Sequence, residues 1–184
     1  PLRVGGPNTF PLGGTSPQQI GILAATEDRY PRMANFSFDY GNTHWTILDT
    51  QNRYLDWNDP EMRRWLREDL DAAKDATWKF VSCYLPPFNS STRFPRTEKM
   101  RIVADIFQET GVDIVFSGYA HSYQRCFPLR FTAEPRPLGP VTFQGHEIPG
   151  EYQLDRRFDG VMSTTPDGVI YLVTGAGGNE QLHS

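Results

Sequence analysis

Five segments of the chain carry the apolar patterns that are typical of β-strands. From Phe36 to Tyr40 every second residue is aromatic, which predicts a strand with one buried face. Two other segments, Val112–Phe116 and Val169–Thr174, are nearly continuous apolar runs, as expected of strands that are buried on both faces. We predict strands at 35–40, 43–49, 78–84, 112–117 and 169–174, with a turn at Gly41 joining the first two as a hairpin.

Two segments have apolar residues spaced by three and four positions, which predicts helices near 60–74 and 98–110. Asp59 is a suitable N-cap residue for the first helix, and Pro60 fits its first helical position. Gly111 is well suited to end the second helix in the left-handed conformation. Because the helices alternate with strands, the sequence predicts an α/β fold.

The chain has 184 residues, of which 38% are hydrophobic, and this is enough for one domain with a core. Residues 1–33 are rich in proline and glycine, and we predict an irregular lead-in there. Residues 34–184 form the predicted domain. Since the chain begins at Pro1 without an initiator methionine, we expect it to be part of a longer protein.

Charge and composition exclude several function classes. The net charge is −4 and no basic run is present, which argues against a nucleic-acid partner. No apolar stretch is long enough to span a membrane, so we expect no membrane association. The two cysteines, Cys83 and Cys126, are too few for a disulfide framework, and we interpret them as buried thiols.

The candidate functional site lies at the end of the strand that precedes Gly118. This strand is followed at once by His121, Tyr123 and Arg125. Polar side chains at the carboxyl end of a buried strand are typical of sites in α/β folds. We therefore predict the site in this turn, where Arg125 either supports the site or forms a buried ion pair or carbonyl contact.

The sequence Gly118-Tyr119-Ala120-His121, followed by Tyr123 and Arg125, resembles the last signature of the calcineurin-like metallophosphoesterases, nearest their purple acid phosphatase branch. That family usually has Gly-His-x-His there, so a tyrosine replaces the first histidine. The segments FSFDYGNTHWTILDT, WKFVSCYLPPFNSS and GVIYLVTGAGG also resemble parts of the family, in order along the chain. In the second of them Tyr84 replaces another histidine, and Leu85 replaces a residue that often reaches the substrate.

The resemblance implies a partial metallophosphoesterase-type fold, with mixed β-sheets packed against α-helices. It also implies the chemistry of a metal pair (Fe, Zn or Mn) that binds a phosphate ester and activates a water for hydrolysis. By resemblance His121 is a ligand of one metal, whereas Tyr84 and Tyr119 occupy vacated ligand positions of the other. The Asp-x-His, Gly-Asp and Gly-Asn-His motifs of the family, which supply the bridging aspartate, are absent from these residues.

The segment Gly41-Asn42-Thr43-His44 is not the Gly-Asn-His motif, because Thr43 separates the asparagine from the histidine. We interpret His44 as a structural histidine with satisfied hydrogen bonds. A phenol can bind a trivalent metal only after losing a proton, at a pKa of about 10, so we interpret Tyr84 and Tyr119 as filling a vacant metal pocket.

Three functional hypotheses follow. In the first, the chain is the carboxyl-terminal half of a binuclear-metal phosphoesterase and is inactive as an isolated chain. In the second, it is a degenerate, non-catalytic phosphatase-like domain that serves binding or structure. The third drops the resemblance and keeps an α/β domain with a ligand pocket. In each case an exposed sheet requires covering by the upstream part of the protein, by another partner or by the lead-in.

Overall fold

The computed structural model describes residues 2–4, 35–51, 55–91, 98–135, 139, 141 and 147–177. Its described helices are α1 (Pro60–Ala72), a 3₁₀-helix (Glu98–Val103) and α2 (Ala104–Glu109). The strands, in chain order, are β1 (Leu2–Val4), β2 (Phe36–Tyr40), β3 (Thr43–Leu48), β4 (Trp78–Cys83), β5 (Ile114–Ser117), β6 (Tyr123–Arg125), β7 (Leu129–Ala133), β8 (Gly150–Leu154) and β9 (Ile170–Thr174). The predicted α/β class is confirmed.

Seven strands form one mixed sheet in the order β1-β2-β3-β4-β5-β9-β6. The four central strands, β3, β4, β5 and β9, are parallel, and the flanking strands are antiparallel to their neighbours. β7 and β8 form a separate antiparallel pair, which is joined to the main sheet by a bridge between Leu129 and Val169. Because the central strands are parallel, their carboxyl ends meet at one edge of the sheet.

Helix α1 begins and packs as its sequence indicates. Oδ1 of Asp59 accepts hydrogen bonds from the backbone N–H groups of Glu61 (2.9 Å) and Met62 (3.0 Å), and Pro60 occupies the first helical position. The inward side chains of α1 are fully buried against the sheet: Met62, Leu66 and Leu70. This side of the sheet therefore carries the core.

The second predicted helix is divided into the 3₁₀-helix and α2. Its inward side chains, Met100, Val103, Ile106 and Phe107, are fully buried as predicted. Gly111 follows the helix with φ +72°, which is the left-handed conformation expected of it.

The opposite face of the sheet carries a band of aromatic rings, which we call the ring band: Phe36, Phe38, Trp45, Phe80 and Phe116. Successive ring centroids lie 4.8–6.4 Å apart, within the range of favourable aromatic pairs. All five side chains are half-buried. The sheet is therefore less completely covered on this face than on the face that packs against the helices.

The five predicted strands are present, with bounds that differ from the predicted ones by at most two residues. β1, β6, β7 and β8 were not predicted. β1 lies within the predicted lead-in, and the remainder of that lead-in is outside the described residues. The sequence offers a further short strand candidate, Val141–Phe143. Of its residues only Val141 is described, and it is buried but not part of a strand.

Candidate functional site

The predicted site residues lie in two adjacent turns at the carboxyl edge of the sheet. Tyr84 directly follows β4, and the turn from Gly118 to Ser122 directly follows β5. The N–H of Gly118 donates to the carbonyl of Tyr84 at 3.2 Å, which links the two turns. Within the second turn, the N–H of Ala120 donates to Gly118 O and that of Ser122 to Ala120 O, both at 2.8 Å. The parallel register of β4 and β5 thus brings together residues that are distant in sequence.

A third turn, which follows β9, passes directly beneath the second one. A Cβ atom placed on Gly175 would lie only 2.1 Å from the carbonyl oxygen of Ala120 and 2.9 Å from its carbonyl carbon. No side chain fits there without displacement of backbone, so the position requires glycine. Gly175 thus has a steric role at this edge of the sheet.

Tyr84 and Tyr119 are in direct contact. Their ring centroids lie 5.3 Å apart with an interplanar angle of 74°, which is a favourable edge-to-face arrangement. Tyr119 has φ +64°, a left-handed conformation that is uncommon and strained for a bulky residue. Tyr84 remains 43% exposed, so the pair lies at the surface of the site and not in the core.

His121 and Arg125 differ in their surroundings. His121 is half-buried in the turn after β5, beside the tyrosine pair in sequence. Arg125 is exposed at the end of β6, where it aligns with Leu172 of β9. Its exposure argues against the buried ion pair that was one alternative for this residue. The predicted roles of His121 as a metal ligand and of Arg125 as site support stay predictions.

Gln124 holds the turn after β4 next to β6, and sequence reasoning did not identify it. Its Oε1 accepts from the N–H of Ser90 (2.8 Å) and from Oγ of Ser90 (3.2 Å), and its Nε2 donates to Oγ of Ser122 (2.9 Å). Gln124 lies between Tyr123 and Arg125 in the sequence, and no local pattern there indicates a contact with Ser90, which is 34 residues away. Its effect is to fix the loops that carry the tyrosine pair.

Lys99 is a second residue that the sequence did not indicate. Its side chain is almost completely buried, and burial lowers its pKa to about 8, although the charge of Asp49 opposes this shift. Burial also raises the pKa of the neighbouring Cys83 thiol to about 12. Cys83 and Cys126 are both free, as predicted, although Cys126 is only partly buried.

His44 lies at the opposite edge of the sheet. Its Nδ1 is 2.7 Å from Oδ1 of Asp39, and its Nε2 is 3.1 Å from Oδ2 of Asp69. Both nitrogens are therefore engaged by protein side chains, in accord with the structural interpretation of this histidine.

The described residues do not fit a two-metal centre. Within the described ranges, no three His, Cys, Asp or Glu side chains are placed so that they could hold a metal ion. The three side chains that the resemblance places at the site are two phenols and one imidazole, and the phenols pack against each other. A metal pair of this class needs a bridging carboxylate and several further imidazole or oxygen ligands.

No described helix is long and apolar enough to cross a membrane.

Comparison with known proteins agrees with the fold and with the resemblance. No protein family model matches the chain. The chain is 33% identical over 112 residues to purple acid phosphatase 23 of Arabidopsis thaliana. This alignment covers 58% of the chain and 23% of that protein. It is 29% identical over 125 residues to purple acid phosphatase 22 of the same plant, covering 65% of the chain and 28% of that protein.

The fold also resembles a solved structure, that of purple acid phosphatase PPD1 from seeds of yellow lupin, Lupinus luteus. The TM-score is 0.56 with 18% sequence identity, over 90% of the chain and 27% of that protein. The chain thus spans about a quarter of the length of these relatives. The comparisons confirm the predicted fold and the predicted resemblance to purple acid phosphatase-type metallophosphoesterases, over part of the length of those proteins.

Proposed function

We propose that this chain carries part of a purple acid phosphatase-type phosphoesterase domain in which Tyr84 and Tyr119 fill the position of one metal, and that the chain alone does not hydrolyse phosphate esters. The observation that carries the proposal is the contact between the two tyrosine rings, whose centroids are 5.3 Å apart. By resemblance these residues stand where two histidines bind the same metal. Rings that pack edge to face occupy the space that a metal and its ligands require.

His121 is the one proposed metal ligand that remains. A single imidazole cannot hold a metal pair, so further ligands, including the bridging carboxylate, would have to come from an upstream part of the protein. With such ligands present, we propose that the site holds the metal served by His121, with phosphate esters as the substrate class. The identity of the metal, whether Fe, Zn or Mn, depends on those ligands.

Leu85 supports a second candidate function, that of a non-catalytic phosphatase-like domain. The resemblance places a residue that often reaches the substrate at this position. Here the side chain of Leu85 is fully buried, and its N–H donates to Oγ1 of Thr50 at 2.9 Å. A buried leucine cannot contact a phosphate ester, so this position supports binding or structure over catalysis.

The ring band supports the proposed partner. Its five half-buried rings form an apolar surface that extends across four strands. Such surfaces are typical of interfaces. We propose that the upstream part of the same protein covers this face, in accord with the share of the relatives' length that the chain spans.

The test is metal content by elemental analysis, measured on the parent chain and on the double variant Tyr84→His/Tyr119→His. We expect no bound metal in the parent and a gain of metal in the variant, because the variant restores the two imidazoles that by resemblance bind the same metal. Hydrolysis of an aryl phosphate by the parent chain should be undetectable.

The matched control is Tyr40→His/Tyr152→His, which adds two histidines at positions that are 78% and 59% exposed and lie away from the site. It should bind no more metal than the parent. Metal-dependent turnover by the parent that is abolished in His121→Ala would overturn the proposal. If neither the parent nor the site variant binds metal, the ligands of the upstream part are indispensable, and the chain alone is a scaffold without a metal site.

A further inference from the structure

A cluster of polar side chains lies between the hairpin β2–β3 and helix α1, at the edge of the sheet opposite the tyrosine pair. At its centre the side chain of His44 is completely buried. The ring lies between two carboxylates, that of Asp39 on β2 at 2.7 Å and that of Asp69 on α1 at 3.1 Å. One imidazole therefore joins the hairpin to the helix.

The geometry indicates the protonation state of this ring. A neutral imidazole carries one N–H, so it can donate to only one of two carboxylates, whereas an imidazolium donates to both. Asp69 also accepts from Oγ of Ser37 (2.5 Å) and from Oγ1 of Thr46 (3.0 Å). An ionised carboxylate accepts hydrogen bonds at both oxygens and donates none, as this arrangement requires. The contacts thus fit an imidazolium between two carboxylates.

The electrostatics agree with this assignment. Burial is the largest single influence on the pKa of His44 and lowers it, but the hydrogen bonds to Asp69 and Asp39 and the charges of these two carboxylates together outweigh burial, so the pKa lies above its usual value. Burial by itself raises the pKa of Asp69, but hydrogen bonds from His44 and Ser37 outweigh it, so this pKa lies below its usual value. Each partner therefore stabilises the charged form of the other.

Two further charged groups face the cluster from neighbouring elements. Lys79 on β4 aligns with His44, but its ammonium donates to the carbonyl of Thr110 at 2.7 Å. Asp75, which follows α1, lines a cavity of about 280 Å³ together with Asp39. Asp39 is 31% exposed, so the cavity gives water access to the edge of the cluster. Protons can therefore reach the buried imidazole from this side.

We propose that His44, Asp39 and Asp69 form a pH-dependent latch, in which the imidazolium of His44 helps to hold helix α1 to the hairpin and the loss of its proton in alkaline solution weakens that attachment. This latch is independent of the proposed function, because it lies at the other edge of the sheet and contains none of the predicted site residues.

The direction of the pH dependence follows from the two pKa shifts. The pKa of His44 is raised on folding, so its contribution to stability is complete below about pH 6.5 and is lost as the pH rises through the raised value. The pKa of Asp69 is lowered on folding, so its contribution is complete above about pH 3.8 and is lost as the pH falls through the lowered value. The latch is thus strongest in mildly acidic solution.

The test is urea unfolding of the parent chain and of His44→Gln at a series of pH values from about 6 to 9, a range that spans the usual pKa of histidine. We expect the ratio of folded to unfolded parent to fall several-fold over this range relative to the variant. The comparison with the variant is needed because Lys99 has a lowered pKa of about 8 and therefore changes stability in the opposite direction.

The matched control is Ser37→Ala, which removes one hydrogen bond to Asp69 but no titrating group. Ser37→Ala should lower the free energy of unfolding by a similar amount at every pH in this range. Its stability should therefore vary with pH in the same way as that of the parent. Amide hydrogen exchange should also show that α1 and the β2–β3 hairpin lose protection relative to β5 as the pH rises.

A second measurement keeps the test decisive if His44→Gln does not fold. The nitrogen shifts of the His44 ring in the parent, followed by NMR, should show two N–H groups at neutral pH and a transition above that of free histidine. A neutral His44 tautomer at about pH 6, near the usual pKa of the side chain, would overturn the proposal. So would equal pH dependence of stability in the parent and in His44→Gln.

Discussion

At the amino end of β3 the polar side chains are buried and pair with one another, whereas at the carboxyl ends of β4 and β5 two aromatic side chains lie partly exposed in mutual contact. His44 and its two aspartates illustrate the first arrangement, with each ring nitrogen matched by a carboxylate. Tyr84 and Tyr119 illustrate the second, at the edge where α/β folds place their functional sites.

The difference shows that the two edges of the sheet are stabilised by different kinds of contact. The buried cluster is costly to disturb, because removing one of its members leaves another polar group buried without a partner. At the tyrosine pair, by contrast, two aromatic side chains stabilise each other at the surface. The fold therefore depends on polar contacts at one edge and on ring and backbone packing at the other.

The largest expected effect is at the buried cluster. We predict that Asp69→Ala lowers the free energy of unfolding by about 3 kcal/mol, because it leaves a buried imidazolium and two hydroxyls without their shared acceptor. Asp71→Ala, on an exposed turn of the same helix, is the matched control and should change it by no more than about 0.5 kcal/mol. Equal effects of the two substitutions in urea unfolding would contradict the comparison.

A smaller effect is expected at the carboxyl edge from the backbone. Gly175→Ala should cost about 2 kcal/mol, because its Cβ atom would lie 2.1 Å from the carbonyl oxygen of Ala120. Gly177→Ala is the control, since a Cβ atom there meets nothing within 4 Å. Thermal unfolding of both variants measures the loss of stability. If Gly175→Ala is no less stable than Gly177→Ala, the backbone of the turn after β9 shifts to accommodate the added Cβ atom.

The smallest effect is expected from the ring contact itself. A double-mutant cycle with Tyr84→Ala and Tyr119→Ala should give a coupling energy of about 1 kcal/mol, in the range measured for edge-to-face pairs. A coupling energy near zero would mean that the two rings fill the site independently. Urea unfolding of four proteins, the parent, the two single variants and the double variant, supplies the cycle.

Much of the main sheet could be predicted from the sequence because its central strands and α1 have strong local signals. The apolar run before Gly118 and the cap at Asp59 both act within a few residues, and both predictions were confirmed. β6 and β8 carry no apolar strand pattern: β6 has only three residues, and four of the five residues of β8 are exposed. The apolar and polar residues of β7 do alternate, so this strand had a local signal that was overlooked.

The roles of the candidate site residues stay predictions, and the structure shows only where these residues lie. Tyr84 and the turn that contains Tyr119 and His121 follow adjacent parallel strands, and the two tyrosine rings are in contact. Gln124 and Lys99 could not be found, because their roles depend on contacts across 34 residues and on burial that no local pattern expresses. For His44 the sequence predicted only a structural histidine with satisfied hydrogen bonds. It did not identify the partner Asp69, which lies 25 residues away.

The ring band has a consequence for the behaviour of the chain in solution. With a net charge of −4 and an isoelectric point near 5.5, the chain loses its mutual electrostatic repulsion in mildly acidic solution. Half-buried aromatic surfaces on neighbouring molecules then attract each other without opposition. The pH range in which the proposed His44 latch is strongest is therefore also the range in which we expect the isolated chain to be least soluble.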